Sequence, residues 1–196
     1  MSLFGPLRVL MNMELCWHGR GGQGVVTANE ILASSAIREG KYVKAFPEFG
    51  PERMGAPIRA FTRISSDPIR IHSQVYTPDI VIILDPTLVG KIKTITAGLK
   101  KDSVVLGNYA GTPKELQEAL QTDAKCYAVD ATRISTEEVG RPMVNTSMLG
   151  AVTKVSGIVS FNTLEEQVRA KFGNKLQESV IVKNLSALKR AYTEVQ

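Results

Sequence analysis

Residues 19–24 read Gly-Arg-Gly-Gly-Gln-Gly, and Gly19, Gly21 and Gly24 have the G-x-G-x-x-G spacing of a phosphate-binding turn. Glycines at this spacing let the backbone turn tightly, approach a phosphate and press a helix against a strand. The free N–H groups and the dipole of that helix then attract an anion. A dinucleotide site also needs an acid at the end of the following strand, about 20 residues on, to hold the ribose hydroxyls. Here that stretch is Val43-Lys44-Ala45-Phe46-Pro47, and the first acid, Glu48, lies beyond the proline. Three uses stay open for the turn: a dinucleotide, another phosphate or diphosphate, or strand–helix packing without a ligand. His18 and Arg20 flank it and are expected to face an anion or a partner.

Other residue types narrow the chemistry. Cys16 and Cys126 are the only cysteines, and no C-x-x-C or C-x-x-H spacing occurs, so this chain alone offers neither a zinc site nor an iron–sulfur cluster. His18 and His72 are the only histidines, and no triad or metal set can be argued around them. Asp85, Asn108 and Asp130 end predicted strands, where open α/β sheets gather ligands. Capping of the following helix is the expected role there, as it is for Asn145 before a helix at 146–156.

The elements that must position these residues follow from periodicity. Glu14–His18 reads as a first strand. Val25, Val26, Ala28, Ile31, Leu32, Ala36 and Ile37 recur at helical spacing until Gly40. Tyr42–Phe46 reads as a second strand, and the Pro- and Gly-rich stretch after it as a loop of defined shape. Ile58–Ile64 and Ile69–His72, joined by Ser65-Ser66-Asp67-Pro68, read as a hairpin. Arg59, Phe61 and Arg63 share one of its faces, which becomes a basic stripe if Arg70 and His72 join them. Segments 79–85, 103–107 and 125–129 read as strands, and 86–92, 113–120, 132–139, 146–156, 164–172 and 176–195 as helices. Together these specify an α/β fold, a Rossmann-like, mostly parallel sheet with an inserted β-hairpin and a helical C-terminus.

A chain of 196 residues with 43% hydrophobic content can bury one core. Residues 1–12 read as a vector-derived or alternative N-terminal extension, and 13–196 as one domain. The net charge of +5 is spread out, without the clustered Lys/Arg and interleaved aromatics of a nucleic-acid surface. The longest apolar run, Ile80–Leu84, is too short to span a membrane. A cytoplasmic protein is expected.

Three motifs occur together and in order: WHGRGGQG at 17–24, AFPEFGPERMGAPIRAFTRI at 45–64 and NTSMLGA at 145–151. With them the chain resembles the gamma subunits of the 2-oxoacid:ferredoxin oxidoreductases, in the pyruvate/2-ketoisovalerate branch, from about Met13 to the C-terminus. Relatives often carry glycine where this chain has Ala56. The resemblance implies a non-catalytic subunit of an enzyme that oxidatively decarboxylates a 2-oxoacid to an acyl-CoA and reduces ferredoxin. It implies alpha, beta and delta subunits as partners, holding thiamine diphosphate with Mg2+ and [4Fe–4S] clusters, with coenzyme A as a substrate of the complex. It further implies that Gly19, Arg20, Gly21, Gly22, Gln23 and Gly24 contact coenzyme A or a phosphate. On the same grounds Glu48, Gly50, Pro51, Glu52, Arg53, Met54, Gly55, Arg59 and Arg63 are expected at the partner interface. The other readings are a stand-alone NAD(P)-dependent oxidoreductase and a regulatory module that binds nucleotides or coenzyme A.

Overall fold

The computed structural model describes residues 12–48, 55–173 and 175–196. The expectations for residues 1–11 and for Gly50, Pro51, Glu52, Arg53 and Met54 lie outside the described residues. Six strands form one sheet: β1 (Met13–Arg20), β2 (Tyr42–Pro47), β3 (Pro57–Ser65), β4 (Ile80–Ile83), β5 (Val104–Asn108) and β6 (Lys125–Val129). Their order is β2-β3-β1-β4-β5-β6. β1, β4, β5 and β6 run parallel to one another, while β3 lies antiparallel between β1 and β2. The sheet is therefore mostly parallel, as the sequence implies.

Helices α1 (Val25–Arg38), α3 (Ala131–Val139), α4 (Asn145–Ser156), α5 (Phe161–Gly173) and α6 (Glu178–Glu194) pack on one face. α2 (Pro113–Leu120) and two short 3-10 turns cover the other. β4 reads Ile-Val-Ile-Ile because both its faces are covered, and all four residues are buried. α4 is the central helix, with every residue but Lys154 buried. Gly150 lets it touch α6 backbone to backbone, since a Cβ there would lie 2.1 Å from the Leu188 carbonyl oxygen. No helix among the described residues is long and apolar enough to cross a membrane.

A polar chain inside the core fixes the start of the fold. The Trp17 indole N–H donates to Thr62 Oγ1 at 2.8 Å, Thr62 donates to Asn29 Oδ1, and Asn29 Nδ2 donates to the Phe61 carbonyl. Each buried polar group on this path has a partner, so it ties β1, β3 and α1 together in one register.

The hairpin differs from expectation in its second arm. β3 pairs with β1 on one edge and β2 on the other, so residues 69–72 find no free edge on β3 and form no strand. The inserted hairpin is β2–β3, and residues 66–79 run back across its face as a strap. Arg63, only 5% exposed, holds that strap: it pairs with Glu14 at 2.5 Å and donates to the carbonyls of Ser73 (2.5 Å) and Gln74 (2.8 Å). Arg59 forms a two-pronged pair with Glu48. The expected basic stripe is thus largely neutralised within the chain. The helix expected at 86–92 shrinks to a 3-10 turn, Pro86–Leu88, because Gly90 follows in the left-handed region at φ +71°.

Candidate functional site

The glycine turn sits where β1 ends and α1 begins. Gly22 and Gly24 adopt φ of +93° and +76°, the left-handed region that only glycine enters freely. Gly19 has no room for a side chain, since a Cβ would lie 2.5 Å from Val25 Cγ2. Gly24 presses on Asn145, with Nδ2 2.7 Å from where a Cβ would be. The turn is tied inward by several bonds. Gly21 N donates to the Ala56 carbonyl at 2.9 Å, Gly55 N to the Gly21 carbonyl at 3.2 Å, and Gln23 N to the Arg20 carbonyl at 3.1 Å.

Arg20 is partly exposed but fully engaged. It lies 3.2 Å from Asp85, and donates to Thr87 Oγ1 at 3.0 Å and to the Gly55 carbonyl at 3.0 Å. Burial of Asp85 acts to raise its pKa. Hydrogen bonds from Thr87 and Gln23 and the charge of Arg20 outweigh that and hold it below the usual carboxylate value. Asp85 also caps the 3-10 turn after β4 through Thr87 N, and Asp130 caps α3 through Arg133 N. Asn108 bridges the Leu84 carbonyl and Thr132. Each of the three is therefore engaged in hydrogen bonds within the chain.

Beside the turn lies a cleft of about 460 Å³ lined by Gly22, Gly24, Val25, Val26 and Thr27 from the start of α1, and by Ile58, Arg141, Met143, Asn145, Phe172, Lys175, Leu176 and Asn184. α1 and α4 both begin here without a side-chain cap, so the amides of their first turns have no partner within the helix. The sequence expectation for Asn145 needs correction: Val144 is the cap position, and Asn145 is turned inward against Gly24. Asn145 is 4% exposed, and its side-chain amide lies against Gly24 at the cleft. Arg141 and Lys175 stand at the rim and form no ion pair among the described residues. Two uncapped helix starts, two cations without an ion pair among the described residues, and the Asn145 amide converge on one cavity, groups whose chemistry suits an anion. Arg141, Lys175 and Asn184 carry no sequence signal of their own, since only the packing of α4, α5 and α6 brings them to the turn.

His18 does not face the cleft. It is 4% exposed, with Nε2 3.2 Å from Cys16 Sγ, beneath the Arg59–Glu48 pair. Burial, aided by the positive charge of Arg59, pushes its pKa down to about 4. Burial pushes the Cys16 thiol up to about 12 and Cys126 up to about 11, so both thiols stay protonated and unreactive. The cysteines share a register row of the sheet, Cys16-Val81-Val105-Cys126, with two strands between them. No group of three or more His, Cys, Asp or Glu among the described residues could hold a metal ion.

The strand beside β1 also bears on the dinucleotide reading. β3 is antiparallel to β1 and places its first residues, Pro57 and Ile58, opposite Arg20 and Gly19. β2, the strand whose end would carry the ribose-binding acid, is thereby separated from β1 by β3, and Glu48 at its end is paired with Arg59.

The comparisons with known proteins place the chain in an oxidoreductase subunit class. The model for the pyruvate ferredoxin/flavodoxin oxidoreductase family matches residues 14–194, and the chain belongs to that family as a gamma-type subunit. It is 47% identical to the pyruvate/ketoisovalerate oxidoreductases common subunit gamma of Pyrococcus furiosus over 185 residues, 94% of this chain and 97% of that one. The crystal structure of the pyruvate oxidoreductase subunit PORC (EC 1.2.7.1) of Thermotoga maritima has a TM-score of 0.84 at 39% identity, covering 95% of this chain and 98% of that one. A Magnetococcus marinus 2-oxoglutarate:ferredoxin oxidoreductase, solved with 2-oxoglutarate, coenzyme A and succinyl-CoA bound, shares the fold with a TM-score of 0.75 at 24% identity. It aligns with 93% of this chain and 31% of its own.

Proposed function

We propose that the chain docks on thiamine-diphosphate-binding alpha and beta subunits and helps to position coenzyme A through the cleft beside the glycine turn. The observation that carries this reading is the meeting of Asn145, Arg141, Lys175 and two uncapped helix starts in one cavity. Coenzyme A combines a diphosphate and a 3′-phosphate with apolar parts. The cleft matches that with cations and amides beside an apolar wall of Ile58, Met143, Phe172 and Leu176. Thiamine diphosphate, Mg2+ and [4Fe–4S] clusters supply decarboxylation and electron transfer to ferredoxin from the alpha, beta and delta subunits. The residues of this chain bind and orient the coenzyme.

The interface reading rests on Glu48 and Gly55, on Arg59, which pairs with Glu48, and on Arg20, whose guanidinium reaches Gly55. Arg63 supports the interface from behind, because its donors already serve Glu14 and the strap.

Arg141→Ala and Lys175→Ala test the cleft in the assembled oxidoreductase. Each removes one charge-assisted contact and is expected to raise KM for coenzyme A about tenfold. The value of kcat and KM for the 2-oxoacid should not change. An unchanged KM for coenzyme A in both variants, with assembly intact, contradicts the assignment.

A further inference from the structure

We propose that Asp85 is a positioning residue that holds the side-chain amide of Gln23 in one orientation, and through it sets the shape of the glycine turn that the anion meets. This rests on the cleft reading above.

Asp85 lies two residues beyond β4, at the cap of the 3-10 turn, and is 5% exposed. Its two oxygens divide their work. Oδ1 accepts from Thr87 N at 2.8 Å and Thr87 Oγ1 at 2.6 Å, while Oδ2 accepts from Gln23 Nε2 at 2.5 Å and lies 3.2 Å from Arg20 Nε. Gln23 is used at both ends, since its Oε1 accepts from Arg20 N at 2.8 Å. Gln23 N returns a bond to the Arg20 carbonyl, which closes the turn.

The two ends of a carboxamide have nearly the same shape, so sterics alone do not choose between them. The carboxylate chooses, because it can only accept. A flipped Gln23 would set oxygen against oxygen at Asp85 and N–H against N–H at Arg20. Both contacts are repulsive and both polar groups would be left unsatisfied. With Gln23 fixed, Gly22 and Gly24 keep the left-handed conformations in which they line the cleft. Arg20, joined to the same carboxylate and to Gly55, keeps the turn against residues 55 and 56.

This account calls for a reciprocal exchange. In D85N the new amide at position 85 can donate to Gln23 Oε1 and draw it from Arg20 N. In Q23E two carboxylates face each other. In D85N/Q23E the donor and acceptor trade places: the carboxylate at position 23 accepts from Arg20 N and from the amide at position 85. The oxygen of that amide still serves Thr87, and the net charge of the group is unchanged, with the carboxylate moved from position 85 to position 23.

In the assembled oxidoreductase, each single variant is expected to raise KM for coenzyme A about tenfold, with kcat and KM for the 2-oxoacid unchanged. The double variant should return to within about threefold of the parent. Should a single variant fail to assemble, recovery of assembly and of KM in the double variant is the same result. The proposal is overturned if the double variant is no better than the singles, or if the variants lower thermal stability and leave KM for coenzyme A unmoved. Arg141→Ala and Lys175→Ala, measured alongside, separate the two claims. If they raise KM and D85N does not, only the positioning role fails. If they do not, the cleft reading fails with it.

Discussion

Gly150→Ala is expected to lower the thermal midpoint of the chain by about 10 °C, because one methyl group has nowhere to go. Its carbon would lie 2.1 Å from the Leu188 carbonyl oxygen, 3.0 Å from the Leu188 carbonyl carbon and 3.1 Å from Tyr192 N. All three are backbone atoms of α6 and cannot rotate aside. The helices must separate, and α4 is buried along nearly its whole length, so separation opens the core on both its sides. Overpacking of this kind costs about 3 kcal/mol, and about 3 °C per kcal/mol converts that to the midpoint shift for a chain of this size. Gly173→Ala is the control: among the described residues no atom outside its own helical neighbourhood lies within 4 Å of a Cβ there, and its φ is not in the left-handed region. Equal midpoints for the two variants would refute the close approach of α4 to α6.

The second large effect is a loss of stability in mild acid that traces to His18. Its folded pKa of about 4 lies below the ordinary 6.5, so as pH falls the unfolded chain takes up a proton first. His18 thus contributes fully above pH 6.5, and the contribution is lost progressively down to pH 4. The difference corresponds to about 3 kcal/mol, of which about 2 kcal/mol is gone by pH 5. The groups facing His18 are Cys16, Arg59 across the strand pair, and Glu48 beyond it. Glu48 and Asp85 have lowered pKa values, so they hold their contributions until the pH drops into the carboxylate range. Urea unfolding at pH 7 and pH 5 isolates the imidazole. His18→Phe should remove the difference between the two pH values, and a difference that persists would assign it elsewhere.

Much of this fold is legible in the residues. The helical spacing from Val25 to Ile37, the uninterrupted Ile80–Ile83 and the helical stretch at 113–120 each act locally, and each element forms where local chemistry puts it. The hairpin arm at 69–72 shows the limit. Those residues suit a strand, but pairing needs a free edge, and β1 and β2 occupy both edges of β3. The candidate site divides in the same way. The glycine turn announces itself through spacing, since positive φ at Gly22 and Gly24 demands glycine. Arg141, Lys175 and Asn184 belong to three separate stretches and become neighbours only when α4, α5 and α6 stack. Asn145 reads as a cap because asparagine before a helix usually is one; the space left by the missing Cβ of Gly24 lets it turn inward instead.

The central claim is that this chain works as a subunit that serves a 2-oxoacid oxidoreductase. The most direct measurement is anaerobic co-purification of the tagged chain from its host, with the bound proteins identified by mass spectrometry and the preparation assayed for 2-oxoacid oxidation. The account expects thiamine-diphosphate-binding and iron–sulfur subunits to come down with it, and ferredoxin reduction that requires coenzyme A. A chain that purified alone and bound NAD(H) with micromolar affinity would contradict it.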